Sequence, residues 1–319
     1  MILFFSVCAA IVAILLIAGV GLAGFARRTA RRVEAALPPQ GKFVEIDGCA
    51  MHYVDRGNGP VILMIHGLGG QVRHFTHSLT DRLSGAYRVV AIDRPGSGCS
   101  TRPAGASAGV AAQADTIAKF IRALNLGRPL VVGHSLGGAV SLALAVNHPD
   151  CVGGLALIAP LTHPRESVPE VFKGLAVSSA FVRWIVAWTL AIPMSIAKSK
   201  VLLEVVFGPE AVPADFPTAA GGLLSLRPRA FVAASSDLMA ANDDLPGLVD
   251  RYASLNIPVG ILFGRGDRIL DPQEQGSALE RAVRGARLTL IDGGHMLPIT
   301  QPDYTATWIG GETKRALKD

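Results

Sequence analysis

Three short stretches of this chain carry residues whose types and settings suit nucleophilic catalysis. The first is Val131-Val132-Gly133-His134-Ser135-Leu136-Gly137-Gly138, a Gly-x-Ser-x-Gly pattern that ends an apolar run and opens a helical one. A serine on so sharp a strand-to-helix turn needs small neighbours because the backbone is strained there, and the turn lifts its hydroxyl above the sheet edge. Gly133, Gly137 and Gly138 meet that need. A chance glycine-rich turn would look the same in isolation. Two further loops set this one apart. Phe263-Gly264-Arg265-Gly266-Asp267 presents a carboxylate after an apolar run, and Ile291-Asp292-Gly293-Gly294-His295 presents an imidazole after the last one. An alcohol is a weak nucleophile until a base within hydrogen-bond reach takes its proton. His295 would do so for Ser135 and return the proton to the leaving group, while Asp267 orients His295 and stabilises its imidazolium. Asp271 precedes a proline and Asp292 precedes two glycines on the histidine loop, so Asp267 is the preferred acid.

The elements that must position these groups follow from the apolar pattern. Phe43–Asp47 and Ala50–Asp55 alternate around Asp47-Gly48 and predict an antiparallel hairpin. Val61–Ile65, Tyr87–Ile92, Leu130–Val132, Leu155–Ile158, Val259–Phe263 and Arg287–Ile291 are short, rich in Val, Ile and Leu, and bounded by Gly, Pro or Asp. That is the composition of strands buried on both faces of a mainly parallel sheet. Helical patterns lie between several of them, at Ala111–Leu124, Leu136–Asn147, Gln273–Arg284 and Pro302–Leu317. Alternating strands and helices predict an α/β class with a helix-flanked sheet. Ser135, Asp267 and His295 then fall at carboxyl ends of parallel strands, the edge where such sheets place their sites. From Thr162 to Asn256 the alternation stops and segments such as Ser178–Ile192 and Ile196–Phe207 read as helices, which predicts an inserted helical cap.

No charged residue occurs from Ile2 to Ala26, and at about 1.5 Å per helical residue that run exceeds the roughly 30 Å hydrocarbon core of a bilayer. Small residues at Gly21, Ala23, Gly24 and Ala26 also fit a cleaved signal. The long apolar run, with its positive charge after rather than before it, favours an uncleaved transmembrane anchor. Arg27, Arg28, Arg31 and Arg32 would hold the remainder on the cytoplasmic side. The division predicted is 1–26 as anchor, 27–41 as basic linker with Pro38-Pro39, 42–161 and 257–319 as α/β core, and 162–256 as cap.

The 319 residues are 50% hydrophobic and 17% charged, which excludes disorder and coiled coil. The mean hydropathy is +0.39. The four arginines supply most of the net charge of +5, so the chain lacks the basic stripe that nucleic-acid binding requires. Cys8, Cys49, Cys99 and Cys151 are scattered, without zinc-like or disulfide-framework spacing.

Taken together the motifs resemble the α/β-hydrolase superfamily, in its capped lipase, esterase and C–C hydrolase branch, from about Phe43 onward. Matching segments are His66-Gly67-Leu68-Gly69-Gly70, Asp93-Arg94-Pro95-Gly96-Ser97-Gly98-Cys99-Ser100, the serine turn, the Gly-x-x-Asp loop and Gly294-His295-Met296-Leu297-Pro298. The chain order Ser, Asp, His is that of the same superfamily. The resemblance implies an oxyanion hole from the backbone N–H groups of Leu68 and Leu136, with Gly133, Gly137, His66 and Gly67 as supporting positions, and no cofactor or metal. His66 and His134 are expected to pack and hydrogen-bond within their loops. His74 and His77 are expected either to line the pocket or to lie on the surface. Phe181, Trp184, Trp188, Met194 and Phe207 form an apolar stripe that would either glue the cap to the core or line an acyl pocket. The function implied is serine-dependent hydrolysis of lipophilic carboxylic esters through an acyl-enzyme. Alternatives are C–C bond hydrolysis of a vinylogous diketone, an aminopeptidase or cofactor-free haloperoxidase-like activity, and a non-catalytic binding protein on the same fold. Serine at the turn argues against the dehalogenase and epoxide hydrolase relatives, which place an aspartate there.

Overall fold

The computed structural model describes residues 2–318. Helix α1 (Ile2–Ala36) comes first, followed by strands β1 (Lys42–Ile46), β2 (Cys49–Arg56) and β3 (Val61–Ile65). Short helices α2 (Arg73–Thr76) and α3 (Leu79–Leu83) lead to β4 (Arg88–Ile92), α4 (Val110–Ala123), β5 (Leu130–His134), α5 (Leu136–Asn147) and β6 (Gly154–Ile158). The chain then leaves the sheet for α6 (Ala180–Trp188), α7 (Ala191–Phe207) and α8 (Pro228–Val249). It returns through β7 (Val259–Gly264), α9 (Ala278–Ala282), β8 (Arg287–Ile291), α10 (Leu297–Thr300) and α11 (Pro302–Ala316).

The strands form one sheet in the order β1-β2-β4-β3-β5-β6-β7-β8. β1 and β2 pair antiparallel, as do β2 and β4, and every later pairing is parallel. The period of two explains why these strands read as unbroken apolar runs. In β3, Leu63 and Ile65 enter one core with α4, α5 and α8, while Ile62 and Met64 enter the other with α2, α3 and α11. Each such side chain withdrawn from water contributes about 1.5–3 kcal/mol, and both faces must be covered for the sheet to hold. β5 lies in the middle, with Gly133 in register with Ile65 on one side and Leu157 on the other. The serine turn that follows it is thereby anchored on a fully buried strand.

Three boundaries differ from expectation. α1 does not end at Ala26 but continues through the expected linker to Ala36. Pro38 is the first residue that cannot continue a helix, and Val33 and Leu37 find cover against Leu224. The helix expected over Ser178–Ile192 ends at Trp188, and α7 starts at Ala191 with its axis turned 76°. Pro193 has no N–H to give the preceding turn, so the chain restarts rather than continues. The helix expected over Gln273–Arg284 opens as one wide turn over Pro272–Ser277 before α9.

The apolar stripe is also divided. Phe207 is fully buried with Phe216, Ala220 and Met296. Phe181, Trp184 and Met194 face outward, so they neither glue the cap to the core nor line a pocket.

Candidate active site

Ser135 joins β5 to α5 with φ +54° and ψ −122°, a left-handed conformation that a residue with a side chain holds only when its surroundings enforce it. The enforcement is visible. Ser135 N donates to Ile158 O (3.0 Å), and its carbonyl accepts from Gly138 N (2.8 Å) and Leu161 N (3.0 Å). The neighbours must be glycine: a Cβ at Gly137 would stand 2.1 Å from Ile65 O, and one at Gly133 would stand 2.4 Å from Ser141 Oγ. Ser135 retains a small accessible surface, 9%.

His295 lies on the loop after β8. Its Nδ1 donates to Asp267 Oδ2 at 2.8 Å, and the Asp267 side chain is wholly buried. The other carboxylate oxygen, Oδ1, accepts from Ile269 N (2.8 Å) and Leu270 N (3.0 Å), so the acid is locked in place by its own loop. With Nδ1 carrying the proton, His295 Nε2 has the lone pair a base requires. The two competing acids have other surroundings: Asp271 accepts from Gln273 N and Glu274 N as a turn cap, and the Asp292 side chain is fully exposed. The acid and histidine loops touch through glycines, with Gly266 N donating to Gly293 O at 2.8 Å.

The histidine loop is held over the serine turn by His134, whose Nε2 donates to His295 O at 3.0 Å. Burial, and then the neighbouring His295, hold His134 well below the usual imidazole range, so it is neutral at physiological pH. Among the described residues no hydrogen bond reaches Ser135 Oγ. The His295–Asp267 pair is thus ordered without the serine.

The loop after β3 closes on the serine from the other side. A Cβ at Gly67 would lie 2.8 Å from Ser135 Cβ and 3.3 Å from its Oγ, so only glycine permits the approach. Leu68 follows directly, and Leu136 opens α5, where first-turn amides have no partner within the helix. His66 supports the loop as a neutral imidazole: Nδ1 donates to Gly67 O (2.8 Å) and Nε2 accepts from Arg94 N (3.0 Å). Burial, with the Arg94 guanidinium, pushes it down to about 3. His74 and His77 are both half-buried: His74 lies beside Phe216, pushed down by burial to about 4, and His77 Nε2 meets Asp215 Oδ2 at 2.9 Å.

Sequence reasoning missed what holds this loop. Arg94 is fully buried, and its guanidinium donates to His66 O (2.9 Å), Gly67 O (3.0 Å), Gln113 Oε1 (2.6 Å) and Asp237 Oδ2 (2.7 Å). Asp237 is a buried acid on α8 that also takes Arg102 Nη2 at 2.5 Å. Arg94 stood inside a quoted motif without a role, and nothing local in α8 marks Asp237 as its partner. His52, Asp93 and Cys99 also come together in a cluster of metal-ligand types. Both Asp93 oxygens and both His52 nitrogens are already engaged, by each other, by Val72 N and Cys99 N, and by Gln40 O. The cluster is a hydrogen-bonded brace between β2 and the loop after β4.

A family model described as the alpha/beta hydrolase family matches residues 62–308, most of the chain. Over 257 residues the chain is 28% identical to the magnesium-chelatase 30 kDa subunit of Rhodobacter capsulatus, covering 76% of this chain and 84% of that one. It is 39% identical over 121 residues to the dihydrolipoyllysine-residue acetyltransferase component of the acetoin cleaving system of Cupriavidus necator, covering 38% of this chain. The match spans only 32% of that relative's length. Among solved structures, a thermophilic esterase from Thermogutta terrifontis superposes with TM-score 0.72 at 23% identity, over 86% of this chain and 99% of that one. A membrane phospholipase A described as a bacterial virulence factor superposes with TM-score 0.69 at 24% identity, over 100% of this chain and 97% of the other. At these identities the two structural likenesses concern the fold.

Proposed function

The chain belongs to the alpha/beta hydrolase family, and on that premise we propose that it is a serine hydrolase cleaving lipophilic carboxylic esters through an acyl-enzyme. The observation that carries this reading is a strained serine at φ +54° on a glycine-walled turn, whose neighbour His134 holds the loop of a histidine committed through Nδ1 to a buried carboxylate. In this reading Ser135 Oγ attacks the ester carbonyl as His295 Nε2 takes its proton. The backbone N–H groups of Leu68 and Leu136 hold the oxyanion, and protonated His295 gives its proton to the departing alcohol. Water then repeats the sequence and frees the acid. Asp267 keeps the imidazole in the required tautomer and offsets its charge throughout.

Residues 42–161 and 257–319 form the core in this reading, 162–256 the cap that shapes the acyl site, and α1 anchors the chain in a membrane. α1 is long and apolar enough to cross one. In this reading Arg27, Arg28, Arg31 and Arg32, after its charge-free run, hold the folded part on the cytoplasmic side. The esterase and the phospholipase of like fold support an ester as substrate and a membrane as its setting.

The test is hydrolysis of a p-nitrophenyl ester series from acetate to palmitate by the wild type and by Ser135→Ala. Turnover that depends on Ser135 and favours medium or long acyl chains is expected. Turnover of a vinylogous diketone with every ester untouched would replace this reading by C–C bond hydrolysis.

A further inference from the structure

Helix α6 is built inside out. Its one charged residue, Arg183, points into the protein, donating from Nε to Ser235 Oγ (2.9 Å), from Nη1 to Ser236 Oγ (3.0 Å) and from Nη2 to Val177 O (2.6 Å). Four of its six large apolar residues point away, while Val186 and Trp188 are half-buried. Phe181 is 71% and Trp184 57% exposed, and Val182 and Ile185 share their face at helical spacing. Exposed apolar residues continue past the bend at Leu190 and along one face of α7 at Met194 and Val201. In water each outward Phe, Ile or Val forgoes part of the about 1.5–3 kcal/mol that full burial contributes, while the arginine inside requires three partners to be tolerated. A helix on a water-facing surface has the opposite polarity. The arrangement is at rest where the outside is hydrocarbon.

α1 shows where that outside is. It is shielded along one stripe, Leu22, Ala23, Ala26, Ala30, Val33 and Leu37, recurring every three or four residues. The elements packed on α1 are α6, α8 and the short turn Gly222–Ser225. That turn covers Val33 and Leu37 through Leu224. The shielded residues Leu22 to Ala26 lie inside the charge-free run, so the body extends alongside the apolar span by roughly 6 Å at 1.5 Å per residue. That depth is typical of helices lying in a membrane interface.

We propose that the outward face of α6 and the first turns of α7 lies in the lipid bilayer beside α1, making the cap a second membrane-embedded element. Trp184 then sits at the headgroup level that tryptophan favours, and the exposed Lys198 and Lys200 extend their ammonium groups to lipid phosphates. The α6–α7 pair is apolar enough to pass as one bent membrane segment, and its 76° bend suits a structure that enters the interface and returns. At its far end α7 buries Phe207 against Met296, the residue after His295. The bilayer surface and the histidine loop are thereby two ends of a single rigid element.

This inference rests on α1 being a membrane helix, and the experiment separates the two. The full chain has three tryptophans, and Trp188→Phe with Trp308→Phe leaves Trp184 as sole reporter. It is reconstituted into phosphatidylcholine–phosphatidylglycerol vesicles with and without acyl-chain-brominated lipid. The expected result is flotation with the vesicles, loss of most Trp184 emission to the brominated lipid, and protection from aqueous acrylamide. A Trp184→Phe, Trp188→Phe chain, reporting on Trp308 alone, should be quenched several-fold less by the brominated lipid. If the double variant fails to fold, the difference between wild type and Trp184→Phe gives the same signal. A chain that floats while Trp184 is quenched by acrylamide and not by brominated lipid overturns the docking but keeps the anchor. Trp184 shielded from both quenchers assigns the face to a second copy of the chain and overturns it too. A chain that does not float removes the anchor, and the docking with it.

Discussion

Replacing Asp237 by alanine should cost this protein about a fifth or more of its stability. Arg94 is fully buried, and its positive charge is balanced by one carboxylate, 2.7 Å away, which also takes Arg102 at 2.5 Å. Removing that carboxylate leaves a guanidinium charge in a low-dielectric interior with an N–H pointing at the gap. Breaking a buried pair from one side typically costs about 3–5 kcal/mol, because the remaining charge has neither water nor partner. Set against a total of about 5–15 kcal/mol, this is a large fraction. For a chain of this size it corresponds to a fall in melting temperature on the order of 10 °C. Asp237→Asn keeps an acceptor oxygen but not the charge and should fall between. The assay is thermal unfolding of the full chain in detergent, with Asp150→Ala as control, since the Arg122–Asp150 pair is mostly exposed and its loss should leave the melting point unchanged. Ester turnover measured below the transition adds a second reading. Arg94 also grips the carbonyls of His66 and Gly67, so the rate should fall even among molecules that remain folded. If Asp237→Ala melts with the wild type, the charge balance described for this interior is wrong.

Two further outcomes follow from the site. Ser135→Ala, His295→Ala and the double variant should each lose at least about 10³ in kcat with little further loss on combination, because the members act as a unit; additive losses on ester substrates would refute the assignment. Stability should also fall with acid. His66 and His74 are held at about 3 and about 4 in the folded protein against an ordinary value of 6.5. The unfolded chain binds their protons first, so each removes about 1.4 kcal/mol per pH unit as pH falls from 6.5 toward its folded value, and the contribution is whole above 6.5. Denaturant midpoints measured from pH 7.5 to pH 4.5 check this, and a flat profile would contradict it.

Local signals carried the sequence a long way here, for identifiable reasons. The serine turn is legible because its strain demands glycines at fixed offsets, and the buried strands are legible because a sheet covered on both faces leaves no polar alternation. Asp267 is preferred over Asp271 and Asp292 by position alone, and of the three it is the one that hydrogen-bonds His295. The pairing of Arg94 with Asp237 spans 143 positions, and no periodicity reports on such a distance. The apolar stripe of α6 was visible as a stripe, but a helical pattern states that a face is apolar and not what it faces. Arg183, read on its own, looks like the solvent side of the helix; only its contacts with Ser235 and Ser236 reveal that it is the inner one. The extension of α1 to Ala36 was hidden by a cluster of arginines that reads as a boundary, although arginine is a good helix former.

That unbroken α1 has a mechanical consequence. Val33 and Leu37 are buried against Leu224, Glu34 faces Arg227, and Arg73 Nη2 grips the carbonyl of Pro38 at 2.9 Å. The folded body is thus bolted to a post and does not swing on a leash. On the membrane reading, its height above the lipid and its compass heading are both set by helix geometry. From Arg27 to Leu37 the post rises about 15 Å, and each added residue would lift the body by about 1.5 Å and turn it by about 100°. A tethered enzyme searches a hemisphere for its substrate; a mounted one waits, with a fixed orientation, for substrate to arrive by diffusion in the plane.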